Sequence, residues 1–154
     1  MSKTVPETQS VTPSKAIKVQ KVRDENRIAD FLFVERAIWN RTRLSHEQLV
    51  SSLSDPLEKE VGFLAYQDEK SVGFARLTAS PDSIFAGLWG GGVLENFRGK
   101  GVYRALLAAR IAEAKIRSGV RFLRVDALPT SQPILEKYGF ISVAKTWPCN
   151  WPAN

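Results

Sequence analysis

The 154-residue chain is poor in the side chains that build metal, thiol and nucleophile sites: it has one cysteine, one histidine and one methionine. A single thiol, Cys149, forms neither an internal disulfide nor a thiolate zinc site. It is typical of a reducing compartment, so we expect a cytoplasmic protein without a metal. The lone histidine, His46, lies in a helix-start pattern and is interpreted as a surface residue. The longest run of large apolar residues covers positions 31–34, whereas about 20 are needed to cross a bilayer, so no membrane span is predicted.

Hydrophobic residues make up 44% and charged residues 25% of the chain. These proportions are typical of a globular domain and exclude a disordered one. Residues 1–15 are polar and contain two prolines without a hydrophobic stretch, so they are predicted to be a disordered leader rather than a secretory signal. Residues 16–154 are then one domain, of a length that a single hydrophobic core supports. The sequence is compatible with a monomer or a homodimer.

Apolar periodicity predicts a mixed α/β fold with the order β-α-α-β-β-β-α-β-α-β, in which an antiparallel meander precedes a parallel crossover. The first helix follows Asp24, and the second begins at a capping box formed by Ser45 and Gln48. The strongest helix pattern covers 99–118, and a last strand is predicted over 140–147. Three basic residues are assigned to the solvent-facing side of the 99–118 helix: Arg110, Lys115 and Arg117.

Positive charge is concentrated in one segment. The formal net charge of the chain is +6, but residues 98–124 alone contain eight basic residues and one acid. A nucleic-acid-binding surface would need aromatic residues for stacking along such a segment. Only Tyr103 and Phe122 are there, so no nucleic acid partner is expected. A basic segment that starts at a glycine turn instead favours a compact polyanion, such as a nucleotide-bearing cofactor.

The turn at residues 98–103, with the sequence RGKGVY, directly follows a strand pattern and opens the strongest helix. Its two glycines let the backbone approach a ligand closely, and the helix N-terminus offers unpaired N–H groups. Together these features are typical of a pyrophosphate site. Two better-known phosphate motifs do not fit. A Walker loop needs Ser or Thr after Gly-Lys, and a dinucleotide fingerprint needs a third glycine where Arg104 stands.

The segment 93–101, VLENFRGKG, resembles the acyl-CoA loop of the GCN5-related N-acetyltransferase (GNAT) superfamily, in which R/Q-x-x-G-x-G/A follows a strand. The segment 134–140, ILEKYGF, is similar to the last helix and Gly-Phe turn of that family. The predicted element order also matches the family fold. The resemblance covers residues 16–150 and implies a single-domain GNAT-like fold, with a mixed antiparallel and parallel central sheet flanked by helices.

The resemblance implies an N-acetyltransferase that transfers acetyl from acetyl-CoA to a primary amine of a small molecule or peptide, by direct attack in a ternary complex. The backbone of Val93 and Leu94 would pair with the pantetheine arm, and backbone N–H groups there would stabilise the oxyanion. Trp89, beside three glycines at 90–92 that would leave space for a cleft, is the candidate for the acceptor pocket. The implied cofactor-binding residues are Val93, Leu94, Arg98, Gly99, Lys100, Gly101, Val102, Tyr103, Arg104 and Ser131.

Departures from the family pattern concern the chemistry. Tyr103 stands at the last Gly/Ala of the loop, and Leu135 stands where the family often has a tyrosine acid. A thiolate leaves more readily than an alkoxide because the thiol pKa is about 8.5, so activity is expected without that acid. Glu95, at a position where the family often has proline, and Asp126 are the candidate catalytic bases that would take the amine proton.

Two alternative interpretations stay open. The chain would be a non-catalytic acyl-CoA-binding module if the missing tyrosine acid marks a loss of the chemistry, and thiol release with a panel of amines separates this from an enzyme. It would be a nucleic-acid binder if its affinity for DNA fell steeply with salt.

Overall fold

Strands and helices occupy most of residues 2–4 and 17–149, which are the residues that the computed structural model describes. The strands are β1 (Ser2–Thr4), β2 (Ile17–Lys21), β3 (Glu60–Gln67), β4 (Lys70–Ala79), β5 (Phe85–Val93) and β6 (Phe122–Arg124). The helices are α1 (Glu25–Trp39), α2 (His46–Leu53), α3 (Val102–Ile116) and α4 (Gln132–Lys137), and a 3-10 turn covers Glu95–Phe97.

The described strands form one mixed sheet in the order β1-β6-β5-β4-β3-β2. Pairing is antiparallel from β2 through β5, whereas β5 and β6 are parallel. Parallel neighbours need a crossover connection, and α3 supplies it between β5 and β6. The α/β class and the order of meander before crossover are therefore confirmed.

Helices cover both faces of the sheet. On one face, α3 packs through its fully buried Leu106 and Leu107 into a core that also contains Leu135 of α4. On the other face, Phe31 of α1 packs edge-to-face on Phe74 of β4, with ring centroids 5.2 Å apart. We call these the α3 face and the α1 face of the sheet.

The starts of the first three helices follow the sequence signals. The Asp24 carboxylate accepts a hydrogen bond from the amide of Arg27 (2.9 Å) at the start of α1. Ser45 and Gln48 form the capping box predicted for α2. α3 has no side-chain cap and is preceded by Gly101 in the left-handed conformation, with φ 86°. That conformation favours glycine, which explains the residue at this turn.

Two predictions about the ends of the chain differ from the structure. Within the predicted disordered leader, Ser2–Thr4 pair antiparallel with Phe122–Arg124, and the rest of residues 1–15 lies outside the described residues. No strand forms over 140–147: position 141 makes an isolated bridge, and 142–149 have no regular structure. β1 occupies the outer edge of β6, which a further strand would need for pairing. The apolar side chains at 141, 143 and 147 consequently stay exposed.

None of the described helices is long and apolar enough to cross a bilayer. The longest of them, α1 and α3, have 15 residues each. Within the same part of the chain, no three metal-ligating side chains come together as a cluster.

Candidate functional site

The strands β5 and β6 separate soon after they begin to pair. Their parallel register joins Phe85–Gly87 to Phe122–Arg124. Beyond it, the β6-facing edge of β5 at residues 88–93 has no neighbouring strand among the described residues. A bulge in β5 at Gly90 and Gly91, opposite a single residue of β4, further disturbs the sheet at this point. We call the opening along residues 88–93 the cleft.

The glycines at 90–92 serve close packing and do not leave open space. A Cβ atom on Gly91 would lie 3.0 Å from the ring of Tyr103 and 3.2 Å from the guanidinium of Arg110. Both side chains belong to α3, and they occupy the volume that a side chain of β5 would otherwise fill. The expectation of empty side-chain space at these glycines is therefore wrong.

Tyr103 stands in the cofactor loop at a position expected to be small. Its ring turns inward against Gly91 and is half-buried. The guanidinium carbon of Arg110 lies 5.9 Å from the ring centroid. Gly91 thus leaves room for the ring of Tyr103, which stands at the loop position where the family has Gly or Ala.

Backbone N–H groups are unpaired at the turn before α3. Gly99 and Gly101 both adopt positive φ, at 72° and 86°. The first helical hydrogen bond of α3 runs from the Ala105 amide to the Gly101 carbonyl (3.0 Å). None of the six amides from Gly99 to Arg104 donates to an oxygen of the described residues. Such a row of amides at the positive end of a 15-residue helix provides the donors and the dipole that an anion site requires.

Cationic side chains surround this turn without acidic partners. Arg98, Lys100 and Arg104 are exposed, and none makes an ion pair with a carboxylate of residues 2–4 or 17–149. Lys100 lies 5.3 Å from the centroid of the Phe97 ring. Arg98 Nε donates to the Val93 carbonyl (3.2 Å), which ties the turn to the end of β5. Two of the three side chains thus keep their charge fully available to an anion.

The two backbone positions implied for the pantetheine arm, Val93 and Leu94, differ in the direction of their amides. The Leu94 amide donates to the Val72 carbonyl of β4 (2.9 Å), so it is not free to stabilise an oxyanion, and that part of the prediction is wrong. Neighbouring residues of a strand direct their N–H groups to opposite sides. The Val93 amide therefore faces the cleft.

The three remaining candidates from the sequence, Ser131, Glu95 and Asp126, differ in whether their side chains are already hydrogen-bonded. Ser131 Oγ is hydrogen-bonded to both the amide and the carbonyl of Leu128 (3.1 and 3.2 Å), so its hydroxyl serves the turn before α4. Glu95 and Asp126 follow β5 and β6, and both are exposed. Since the carboxyl ends of parallel strands meet at one edge of a sheet, these two carboxylates lie on the side where the cleft opens.

Trp89 lies on the α1 face beside the bulge. Its Nε1 donates to Thr78 Oγ1 (2.7 Å), and its indole covers Gly87. The Arg124 guanidinium lies 5.7 Å from its ring centroid. The side chain is half-buried and held on three sides, which makes it a fixed wall at the start of the cleft.

Sequence reasoning missed a group of buried charges on the α1 face. Arg76 is 5% exposed and donates to Glu60 (2.8 Å), while its Nε has no partner among the described residues. Glu35, which is 4% exposed, accepts from the Arg43 amide (3.2 Å). Burial raises the pKa of Glu35, against the opposing influence of the Arg43 amide and the Arg76 charge. The signal was present, because Arg76 interrupts an apolar strand and Glu35 occupies an apolar helical position.

The helix α4 carries no acid at the position where the resemblance would place one. Leu135 is fully buried in the core of the α3 face. Tyr138 is half-buried and packs against the same core. No phenol therefore reaches the cleft from the Leu135 position.

Two of the cavities lined by described residues lie outside the cleft. One of about 110 Å³ lies between α1, α2 and β3 and is lined by Lys21, Arg23, Glu58 and Glu60. The other, of about 330 Å³, lies beside the β3–β4 turn and is lined in part by Leu94. The cleft is defined by the separation of β5 and β6.

Comparison with known proteins agrees with this architecture. Residues 25–140 match the sequence model of the Acetyltransferase (GNAT) family. No curated protein matches the chain in sequence. An acetyltransferase from Trypanosoma brucei superposes with a TM-score of 0.73 at 17% identity, over 88% of this chain and 99% of that one.

Two further solved structures carry the same fold. AAC(6')-Iy in complex with the bisubstrate analogue CoA-S-monomethyl-acetylneamine has a TM-score of 0.71 at 19% identity, over 89% of this chain and 99% of that one. The ribosomal-protein-S18-alanine N-acetyltransferase from Escherichia coli has a TM-score of 0.66 at 19% identity, over 83% and 79%. At these identities the structural likeness shows the fold, and the sequence match over 25–140 shows the family. The chain belongs to the acetyltransferase (GNAT) family.

Proposed function

We propose that the chain is an acetyl-CoA-dependent N-acetyltransferase acting on a primary amine of a small molecule or peptide in a ternary complex. One observation carries the proposal: the six free amides from Gly99 to Arg104 lie next to the cleft edge of β5. A diphosphate needs the row of amides. An extended arm that contains amide groups fits the strand edge. A chain that kept only the fold would need neither.

The residues present fit coenzyme A by the chemistry of their donors. The amides of residues 99–104, with Lys100 and Arg104, would hold the diphosphate through charge-assisted hydrogen bonds. The Val93 backbone would bind the pantetheine arm as a neighbouring strand would. When bound, acetyl-CoA supplies the activated acetyl group: the amine nitrogen bonds to the carbonyl carbon, the C–S bond breaks, and the amine proton is lost.

Removal of the amine proton needs a base. Glu95 and Asp126, on the side where the cleft opens, are the carboxylates we propose for this step, directly or through water. Their exposure lets them return the proton to solvent. Positioning of the two substrates can supply roughly 7–11 kcal/mol, which exceeds the contribution of a single acid or base.

The acceptor would approach across the α1 face, where Trp89 forms a wall beside the bulge. Of the acids on that face, Glu60 is paired with Arg76 and Glu35 is buried, so neither is assigned a contact with the acceptor. The solved structures of similar fold include an aminoglycoside antibiotic 6'-N-acetyltransferase, AAC(6')-Iy with a CoA-linked analogue, and a ribosomal-protein N-acetyltransferase. The activity experiment below therefore includes both small-molecule amines and peptide amines.

The second candidate function is a non-catalytic acyl-CoA-binding module. The observation in its favour is the apolar, fully buried Leu135 at the position of the family's frequent acid. Both candidates bind coenzyme A, and only the enzyme consumes acetyl-CoA faster when an amine is added.

The experiment that separates them measures thiol release from acetyl-CoA by the purified protein, with a panel of aminoglycosides, polyamines and short peptides. Release above the amine-free background, lost in Gly101→Glu, supports the enzyme. Calorimetric binding of coenzyme A without release on any amine supports the module. Absence of coenzyme A binding contradicts both.

A further inference from the structure

Arg110 is a buried cation with no acidic partner. Its side chain is 2% exposed, although it was expected on the solvent-facing side of α3. Nε donates to the Leu106 carbonyl (3.2 Å) within the helix, and Nη2 is buried without a hydrogen-bond partner among the described residues. No carboxylate of residues 2–4 or 17–149 forms an ion pair with it.

The surroundings of Arg110 supply an aromatic ring and a backbone oxygen but no carboxylate. Burial lowers the pKa of Arg110, and Tyr103 is the group that opposes this shift through its charge and hydrogen bonding. The other contact is the backbone of Gly91, where the position of a Cβ would be 3.2 Å from Nη2 and 3.6 Å from Nη1. An unpaired buried charge is costly, so a folded protein that keeps one is expected to use it on a ligand.

The location of the guanidinium identifies the part of the ligand that would reach it. Gly91 belongs to residues 88–93, the strand edge that lines the cleft. If the diphosphate is held at residues 99–104 and the arm runs back along β5 from Val93, each strand residue advances it by about 3.3 Å. Gly91 lies two residues beyond Val93, or about 6.6 Å along the strand, and we take the sulfur end of the arm to lie at this level.

We propose that Arg110 contacts the sulfur of coenzyme A and stabilises the thiolate that leaves in acetyl transfer. This rests on the proposed function. As the amine nitrogen bonds to the carbonyl carbon, the C–S bond breaks and its electron pair stays on sulfur. A phenol at the Leu135 position would protonate that sulfur, and here a positive charge takes its place. The amine proton goes to a base or to water, and the thiolate is protonated after release.

The test compares coenzyme A with desulfo-coenzyme A, which lacks the sulfur, by calorimetry of the whole protein from about pH 7 to pH 9.5. A free thiol has a pKa of about 8.5. The wild-type preference for coenzyme A should therefore rise with pH towards that value and then level off at roughly 10- to 100-fold. Arg110→Met should abolish the preference and leave the affinity for desulfo-coenzyme A unchanged. Lys115→Met, an exposed position on the same helix, is the matched control.

The variant also separates this role from a structural one. Replacing an unpaired buried cation with an apolar side chain of similar length should leave the melting temperature unchanged or raise it. Arg110→Lys should keep part of the preference. With an accepted amine, Arg110→Met should lower kcat by about 10²- to 10³-fold with little change in the KM for acetyl-CoA.

Two results would overturn the inference and spare the function: equal wild-type affinities for the two ligands at every pH, or a full preference retained in Arg110→Met. If the wild type binds neither ligand, the proposed function fails as well.

Discussion

The basic side chains at the two ends of α3 differ in whether they have acidic partners. At the C-terminal end, the Glu113 carboxylate accepts from Arg117 (2.6 Å) and Lys21 (3.2 Å). Lys21 also contacts Glu58 (3.0 Å). These four side chains tie β2, the segment before β3 and α3 together. At this end the two cations that are largely buried, Lys21 and Arg117, each have an acid.

At the N-terminal end, the charges have no acid. Arg98, Lys100 and Arg104 make no ion pair with the described residues, and the amides from Gly99 to Arg104 donate to none of their oxygens. Counting charge along 98–124 does not separate the two ends, because both are basic. Pairing separates them: charges that are satisfied within the fold stabilise it, and charges that are not are available to a ligand.

The largest effect is expected from Gly101→Glu, which places a side chain and a negative charge among the free amides. Coenzyme A affinity should fall by at least about 100-fold, since charge-assisted contacts are replaced by repulsion. Calorimetric titration measures it. The fold should survive, because the nearest atom to a Cβ there is 3.9 Å away, on Ile17.

Gly119→Glu is the matched control at the other end of the helix. Gly119 has φ 85°, close to the 86° of Gly101, and a Cβ there meets nothing within 4 Å. Both variants carry the same charge change and place a side chain at a similar positive φ, which costs about 1–2 kcal/mol. Equal loss of coenzyme A affinity in both variants would contradict the ligand role of the N-terminal end.

The second effect is on stability and belongs to the C-terminal end. Glu113→Gln should lower the free energy of unfolding by about 1–3 kcal/mol, because charged hydrogen bonds from Arg117 and Lys21 are weakened. At roughly 2–4 °C per kcal/mol, thermal unfolding detects the change. Coenzyme A affinity should be unaffected, and a loss of affinity would mean that the two ends are coupled.

The pH dependence of that variant follows from the same contacts. Burial raises the pKa of Glu113, but hydrogen bonds from Arg117 and Lys21 outweigh it, so the pKa lies below 4.5. The folded-state pKa is depressed. The contribution to stability is therefore present above 4.5 and is lost as pH falls through the lowered value. Denaturant unfolding of Glu113→Gln should lack this loss on acidification.

The sequence could predict elements whose signals are local. Asp24 and the pair Ser45 and Gln48 cap helices where expected, because capping depends on neighbours within one turn. The glycine turn before α3 was predicted for the same reason. Pairing between distant segments was not: the edge of β6 is taken by Ser2–Thr4, and the strand expected over 140–147 does not form.

Burial of charge was the least predictable feature of the site. Arg110 fits a solvent-facing pattern on α3, and its burial depends on Gly91 in another element, which leaves room for it. The Leu94 amide was predicted to stabilise the oxyanion, but in the sheet it donates to the Val72 carbonyl. Each case turns on a contact between residues far apart in sequence, and local periodicity does not carry that information.

The third effect measures the contribution of a single exposed cation at the N-terminal end of α3. Arg104→Ala should weaken coenzyme A binding by about fivefold, or ~1 kcal/mol, as expected for one exposed charged contact. The loss should shrink at high salt, because screening acts on exposed charges. Lys115→Ala is the control on the same helix and should change nothing. Calorimetry at two salt concentrations measures both variants.

The smallest effect concerns Glu35, a buried charge that has partners, in contrast to Arg110. Burial raises the pKa of Glu35 above 4.5, despite the Arg43 amide and the Arg76 charge. Its stabilising contribution is thus complete below 4.5 and is lost as pH rises through the raised value. Glu35→Gln should remove that loss and change neutral-pH stability by about 1 kcal/mol or less, since Arg76 keeps its ion pair with Glu60. Denaturant unfolding between about pH 4 and pH 8 measures the slope. An unchanged slope would mean that Glu35 is ionised at no cost, and its partners would then fully compensate burial.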